Sequence, residues 1–156
     1  MGRNGMTKLS LSEVALQAGV SRPTLYRWFA SKKELLDAYV GWERRLWERA
    51  MADAIVGLPA ADRLDAVLRV IAEGQQAYPG LRMVDIEPEQ VIKKLAVFLP
   101  LLRGRLERMM PGPAGAEAAA TVVRVAISHY LVRSDDTGDF LAQLRHAARI
   151  GARNHD

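Results

Sequence analysis

Three helix starts crowd the stretch between Ser10 and Glu34, and that spacing constrains the fold more than any other feature of the chain. Ser10 with Glu13, and Ser31 with Glu34, read as capping boxes: the hydroxyl accepts from the backbone N–H three residues on, and the carboxylate reaches back to the cap. Between them Gly19 stops a helix, because glycine enters the left-handed turn at little steric cost. Ser21 then caps another, with Pro23 in a first turn where its missing N–H has no intrahelical partner. The pattern predicts a short helix over 11–18, with Val14, Ala15 and Ala18 on one face. A second follows over 22–29, with Leu25, Trp28 and Phe29 apolar, and a long third runs from 32 to about 56. Two short helices joined by a tight glycine turn make a helix-turn-helix.

The charge gathers at the same end. Of 22 Lys and Arg and 18 Asp and Glu, the excess of +4 lies wholly within residues 1–50. Up to Lys33 the cations are Arg3, Lys8, Arg22, Arg27, Lys32 and Lys33, against Glu13 alone. Either this is a solvated face, or it is a surface for a polyanion. The second helix favours the polyanion, since no carboxylate falls between Glu13 and Glu34. Ser21, Arg22 and Thr24 in its first turn can hydrogen-bond to phosphates or base edges, and Arg27 lies one turn beyond Thr24. Tyr26 adds a hydroxyl on a rigid arm. Lys32 and Lys33 stand where a helix N-terminus also attracts phosphate. A helix of this kind fits the major groove with its leading end toward the bases. A small helical hairpin with solvated cations accounts for the caps and the apolar face equally well, but not for the missing carboxylates.

The run from Ser10 to Phe29, continued by Ser31-Lys-Lys-Glu-Leu-Leu36, resembles the TetR family of bacterial transcriptional repressors. The shared elements are Ala15, Ala18-Gly19-Val20-Ser21, Thr24-Leu25-Tyr26, Phe29, and Ser31-Lys32 with Glu34-Leu35. The resemblance implies an all-α fold: a DNA-binding head, residues 1–50 with the motif at 10–29, joined by a long helix to a helical effector and dimerisation domain, residues 51–156. It implies a homodimer that binds palindromic double-stranded operator DNA through Ser10, Ser21, Arg22, Thr24, Tyr26, Arg27, Trp28 and Lys32. Among these, Thr24, Tyr26 and Lys32 match positions that usually touch phosphates, and Arg22 and Arg27 match variable positions that can read bases. Trp28 replaces the Tyr or His often found before the closing Phe, and its indole N–H remains a donor. The family also implies a small effector ligand that moves the heads apart and releases DNA. One departure stands out. Only four residues precede Gly5, which matches a position just ahead of the motif, so the family's first helix is expected to be missing. A shortened chain, a start placed too far downstream or a naturally reduced head would each account for this, and Leu9, Val14 and Phe29 would lose cover.

Beyond the motif the apolar residues keep three- and four-residue spacing. In the long helix Leu35, Tyr39, Trp42 and Leu46 form a 4-3-4 stripe flanked by Leu36, Val40, Trp47 and Met51. These are plain core, or Trp42, Leu46 and Trp47 line a pocket for an apolar or amphipathic ligand. A helix over 61–77 turns Leu64, Val67, Leu68 and Ile71 inward. The next starts at Pro88, and Pro100 is expected to break or kink it. The opened space near Phe98, Leu102 and Met109 is a second pocket candidate. The last two helices, over 114–133 and 137–153, carry stripes suited to a four-helix dimer seam: Val123, Ile127 and Tyr130 on one, Phe140, Leu141, Leu144 and Ala148 on the other. An intramolecular core is the alternative. Arg124, His129, Arg145 and His146 are expected to pair with Asp135, Asp136 or Asp139 around the intervening loop.

Several classes fall away. Zero cysteines excludes disulfides, thiol catalysis and Cys-held metals, and three histidines leave little for a His site. The Ser134–Asp139 run lacks the bidentate Glu of a calcium loop. No apolar run reaches the ~18 residues of a membrane span, and the first residues have no signal-peptide core, so a cytoplasmic protein without cofactor, metal or membrane partner is expected. No nucleophile–base pairing, Gly-rich phosphate loop or metal-spaced carboxylates suggest an enzyme. The other reading is a helical dimer that binds a small molecule and no longer binds DNA.

Overall fold

A computed structural model describes residues 10–76, 88–132 and 138–149. Among them are seven helices and no strand: α1 (Leu11–Gln17), α2 (Arg22–Trp28), α3 (Lys32–Asp53), α4 (Ala60–Gln76), α5 (Pro88–Met109), α6 (Pro113–Leu131) and α7 (Phe140–Ala147). The chain is all-α.

The head is built on local capping. Ser10 Oγ accepts from Glu13 N at 3.2 Å while Ser10 N donates to Glu13 Oε2 at 3.0 Å, which completes the first capping box. Gly19, at φ +66, closes α1, with Gly19 N donating to Leu16 O and Val20 N to Ala15 O. That pair of bonds is a Schellman closure. Ser21 Oγ accepts from Thr24 N, and the two hydroxyls also lie 2.8 Å apart. The second box differs from expectation. Ser31 Oγ caps Glu34 N, but the Glu34 carboxylate accepts from Ala30 N at 2.7 Å, one residue ahead of the cap. Leu11, Ala15 and Leu25 form a small core against Val14, Val20, Phe29 and Leu35. Ala18, expected on that face, is exposed, while Val14 and Phe29 are half-buried. Leu9 and the segment where a first helix would lie fall outside the described residues.

The body has its own core. Val67, Leu68, Ile71 and Ala72 of α4 meet Leu102 and Leu106 of α5, Ala118 to Ala126 of α6 and Phe140, Leu144 and Ala148 beside α7. Met51 joins from the far end of α3, whose start packs on the head core through Leu35. One helix therefore belongs to both cores. The rings of His129 and Phe140 stack at 3.8 Å and 8°, joining α6 to α7.

Of the break or kink expected at Pro100, the break is absent, since α5 continues to Met109. The proline is exposed, so water can serve a carbonyl whose helical N–H partner is missing. The residues assigned to a dimer seam face inward. Val123, Phe140, Leu144 and Ala148 are buried in the chain's own core, Leu141 packs against it, and Ile127 and Tyr130 line a cavity between the chain's own helices. A stripe of apolar residues marks a face that needs cover, and here the chain covers it itself. Leu144→Arg would therefore disrupt the body rather than report on dimerisation.

Arg145 is likewise not paired around the last loop. It crosses to α4, where Nε and Nη2 contact the two Asp65 oxygens at 2.6 and 3.0 Å, and Arg69 adds a third bond to the same carboxylate. Asp135 and Asp136 lie outside the described residues. The hydrogen bond from Arg145 holds the Asp65 carboxyl below its ordinary range, with partial burial opposing and Arg69 assisting. A depressed folded-state pKa gives a contribution that is present above the unfolded value of about 4 and lost as pH falls through the folded one. Urea melts should then show the parent losing stability below about pH 4 by more than Asp65→Asn does. Parallel losses would remove the pair from the acid response.

Candidate DNA-binding head and ligand cavity

Leu25 is buried in the head core, with Arg27 near the far side of α2, Tyr26 on its flank, and Arg22 and Trp28 one turn to either side of Leu25. All four are exposed, Tyr26 and Trp28 at 50% and 54%. Thr24 is half-buried, with its hydroxyl beside Ser21 Oγ. Lys32 is half-buried at the start of α3, and Lys33 donates to Asp37 at 2.6 Å. Ser10 is half-buried and its hydroxyl is occupied by the Glu13 cap. The outward surface of α2 thus carries two guanidiniums, a phenol and an indole, all donors to an anionic partner.

A cavity of about 550 Å³ opens between α3, α4, α5 and α6. Trp47, Phe98 and Leu102, expected to line a pocket, do so. Trp42 and Leu46 do not: they are 46% and 40% exposed, with Trp42 tilted against Tyr39 at 6.1 Å. Met109 packs on the core away from the cavity. The correction follows from helix phase. The inward row of α3 is Leu36, Val40, Glu43, Trp47 and Met51, not the row through Trp42 and Leu46. Trp47 reaches the wall because Gly74 leaves room for it; a Cβ at Gly74 would lie 2.3 Å from the indole.

The cavity is less apolar than its aromatics suggest. Glu43 on α3 and Lys94 on α5 form an ion pair on its wall, with side chains only 10% and 13% exposed. Lys94 Nζ also stands 5.6 Å from the Tyr130 ring centre. Gln75 donates Nε2 to Ala126 O at 3.1 Å, while its Oε1 is buried with no partner among the described residues. Sequence reading missed Glu43, Lys94, Gln75 and Tyr39. One signal was available: Glu43 sits at the apolar interval between Val40 and Trp47, and Lys94 beside Val91, Leu95 and Phe98. A charge in a buried row needs a partner, but neither sequence position names the other.

Among the described residues no group of three or more His, Cys, Asp or Glu could hold a metal. None of their helices is long and apolar enough to cross a membrane.

Residues 1–39 match the family model described as bacterial regulatory proteins, tetR family. No curated protein and no solved structure matches the chain. The matched segment takes in α1, the glycine turn, α2 and the capped start of α3, the elements that carry Arg22, Tyr26 and Arg27. Over its first quarter, the part that holds the helix-turn-helix, the chain is thus similar to bacterial regulatory proteins of the tetR family.

Proposed function

We propose that the protein is a ligand-responsive repressor that binds a palindromic operator as a homodimer and releases it when a small molecule fills the cavity. The observation that carries this reading is that α3 belongs to both ends. Its first turns pack on the head core, and its later turns wall the cavity through Val40, Glu43 and Trp47. A molecule that repositions those side chains tilts the helix on which the head rests. In this reading the head spans residues 1–50 and the body 51–156. If the dimer uses α6 and α7, its contacts come from their exposed rows, Thr121, Arg124 and Ser128 with Gln143 and His146. Such a seam is polar and small-residue in character, unlike the buried stripes behind it.

Duplexes selected from a random library by the protein itself give the test. Specific binding should weaken steeply with salt, because each neutralised phosphate releases counterions. Arg27→Ala should weaken binding to the selected duplex by about 1–3 kcal/mol and relax base preference near its contact. Equal weakening on selected and random duplexes would make Arg27 a phosphate contact instead. An effector should lower duplex affinity roughly 5- to 150-fold, and by linkage the duplex must lower effector affinity by the same factor. A ligand that binds the cavity equally well with and without duplex would remove the release mechanism.

A further inference from the structure

The cavity's polar groups specify more than the presence of a ligand. Glu43 and Lys94 neutralise one another across the wall. The other charged residues of the lining are paired as well, Asp37 with Lys33 and Arg44 with Glu48, so a third charge brought into this space would be stripped of water with no unmatched counter-ion to receive it. Among the lining's other polar groups, which include Tyr39, His129 and Tyr130, one is a buried acceptor. The bond from Gln75 Nε2 to Ala126 O fixes which end of the amide is which, and leaves Oε1 buried without a donor among the described residues. An acceptor in that state is costly, and a partner that supplies an O–H or N–H relieves the cost. Gln75 lies on the cavity wall, so a ligand seated beside it is placed to supply that donor. Trp47, Phe98, Leu99 and Leu102 supply apolar surface around the same space.

We propose that the cavity takes an uncharged amphipathic molecule, with an apolar body against Trp47 and Phe98 and one hydrogen-bond donor directed at Gln75 Oε1. This deepens the reading of the cavity as the effector site and rests on it. It excludes fatty-acid-like anions and alkylammonium-like cations as preferred ligands, although both have apolar bodies of suitable size.

Four probes of one chain length test it on the full chain: 1-decanol, decyl methyl ether, decanoate and decylammonium. Trp28→Phe and Trp42→Phe leave Trp47 as the single indole, so its emission reports occupancy of the cavity. Decanol should bind at least about tenfold tighter than either ion, and about fivefold tighter than the ether, which lacks the donor. Gln75→Met should erase the alcohol-over-ether preference while leaving apolar binding in place. If that variant does not fold, the ranking of the four probes on the parent decides alone. Tighter binding of decanoate or decylammonium than decanol would overturn the proposal, as would equal binding of alcohol and ether, or a Trp47 that responds to none of the four. Failure of the wider reading looks different: decanol ranks first yet leaves duplex affinity unchanged.

Discussion

Gly115→Ala should destabilise the body by about 3 kcal/mol or more, even though alanine is the better helix former by about 1 kcal/mol. Gly115 lies in the first turn of α6, immediately after the turn that leaves α5. A Cβ placed there would fall 1.7 Å from the carbonyl oxygen of Met110 and 2.5 Å from its carbonyl carbon. Those are backbone atoms, so no side-chain rotation relieves the overlap and the junction itself must move. Met110 is buried in the body core, and α5 and α6 supply much of that core. Displacing their junction therefore spreads into the packing of Leu106 and Ala118. Urea denaturation of Gly115→Ala, read against Gly104→Ala as a control, measures the effect. Gly104 is also helical, and its added Cβ would meet only the tip of Arg108 at 3.7 Å, so that variant should be neutral or slightly stabilised. A Gly115→Ala protein as stable as the parent would mean that the two helices do not meet at this distance.

The second large effect belongs to the ion pair on the cavity wall. Lys94→Met leaves the Glu43 carboxylate at a site where only a tenth of its side chain is exposed. Removing one partner of a buried pair costs about 3–5 kcal/mol, because the survivor loses its counter-charge without regaining water. Glu43→Met combined with Lys94→Met should recover most of that loss, since apolar replacement of a whole buried pair is often neutral or favourable. The expected order of stability is therefore parent and double variant together, with Lys94→Met well below. Strictly additive losses in the double-mutant cycle would show that the two charges are solvated separately. The pair also ties α3 to α5, so the double variant should keep its fold while changing how a cavity ligand alters duplex affinity.

How much of this was legible in the chain depends on the range of the forces. The head could be read almost residue by residue, because Ser10, Glu13, Gly19, Ser21 and Ser31 act on backbone groups a few residues away. Capping and left-handed turns are local, so their signals survive in one dimension. Even there, the shift of Glu34 onto Ala30 N depended on how the chain enters α3. In the body, periodicity marked the helices and the inward row of α4, Leu64, Val67, Leu68 and Ile71, but not the inward row of α3. Along α3 the apolar count favoured Leu35, Tyr39, Trp42 and Leu46, whereas the buried row contains a glutamate whose partner is 51 positions away.

The sequence by itself determined the helix-turn-helix, the donors on α2, the all-helical body and the presence of aromatics near a pocket. Each of these follows from side chains acting on their own turn of helix. Tertiary structure alone decided that Phe140, Leu144 and Val123 serve the chain's own core, that Arg145 holds Asp65, that Pro100 stays within a helix, and that a cancelled charge pair stands beside an unpartnered amide in the cavity. Apolar burial is non-directional, so a stripe states that a face must be covered without naming what covers it. A buried charge or amide, in contrast, names the chemistry of its partner but not its position, and only the packed helices supply that.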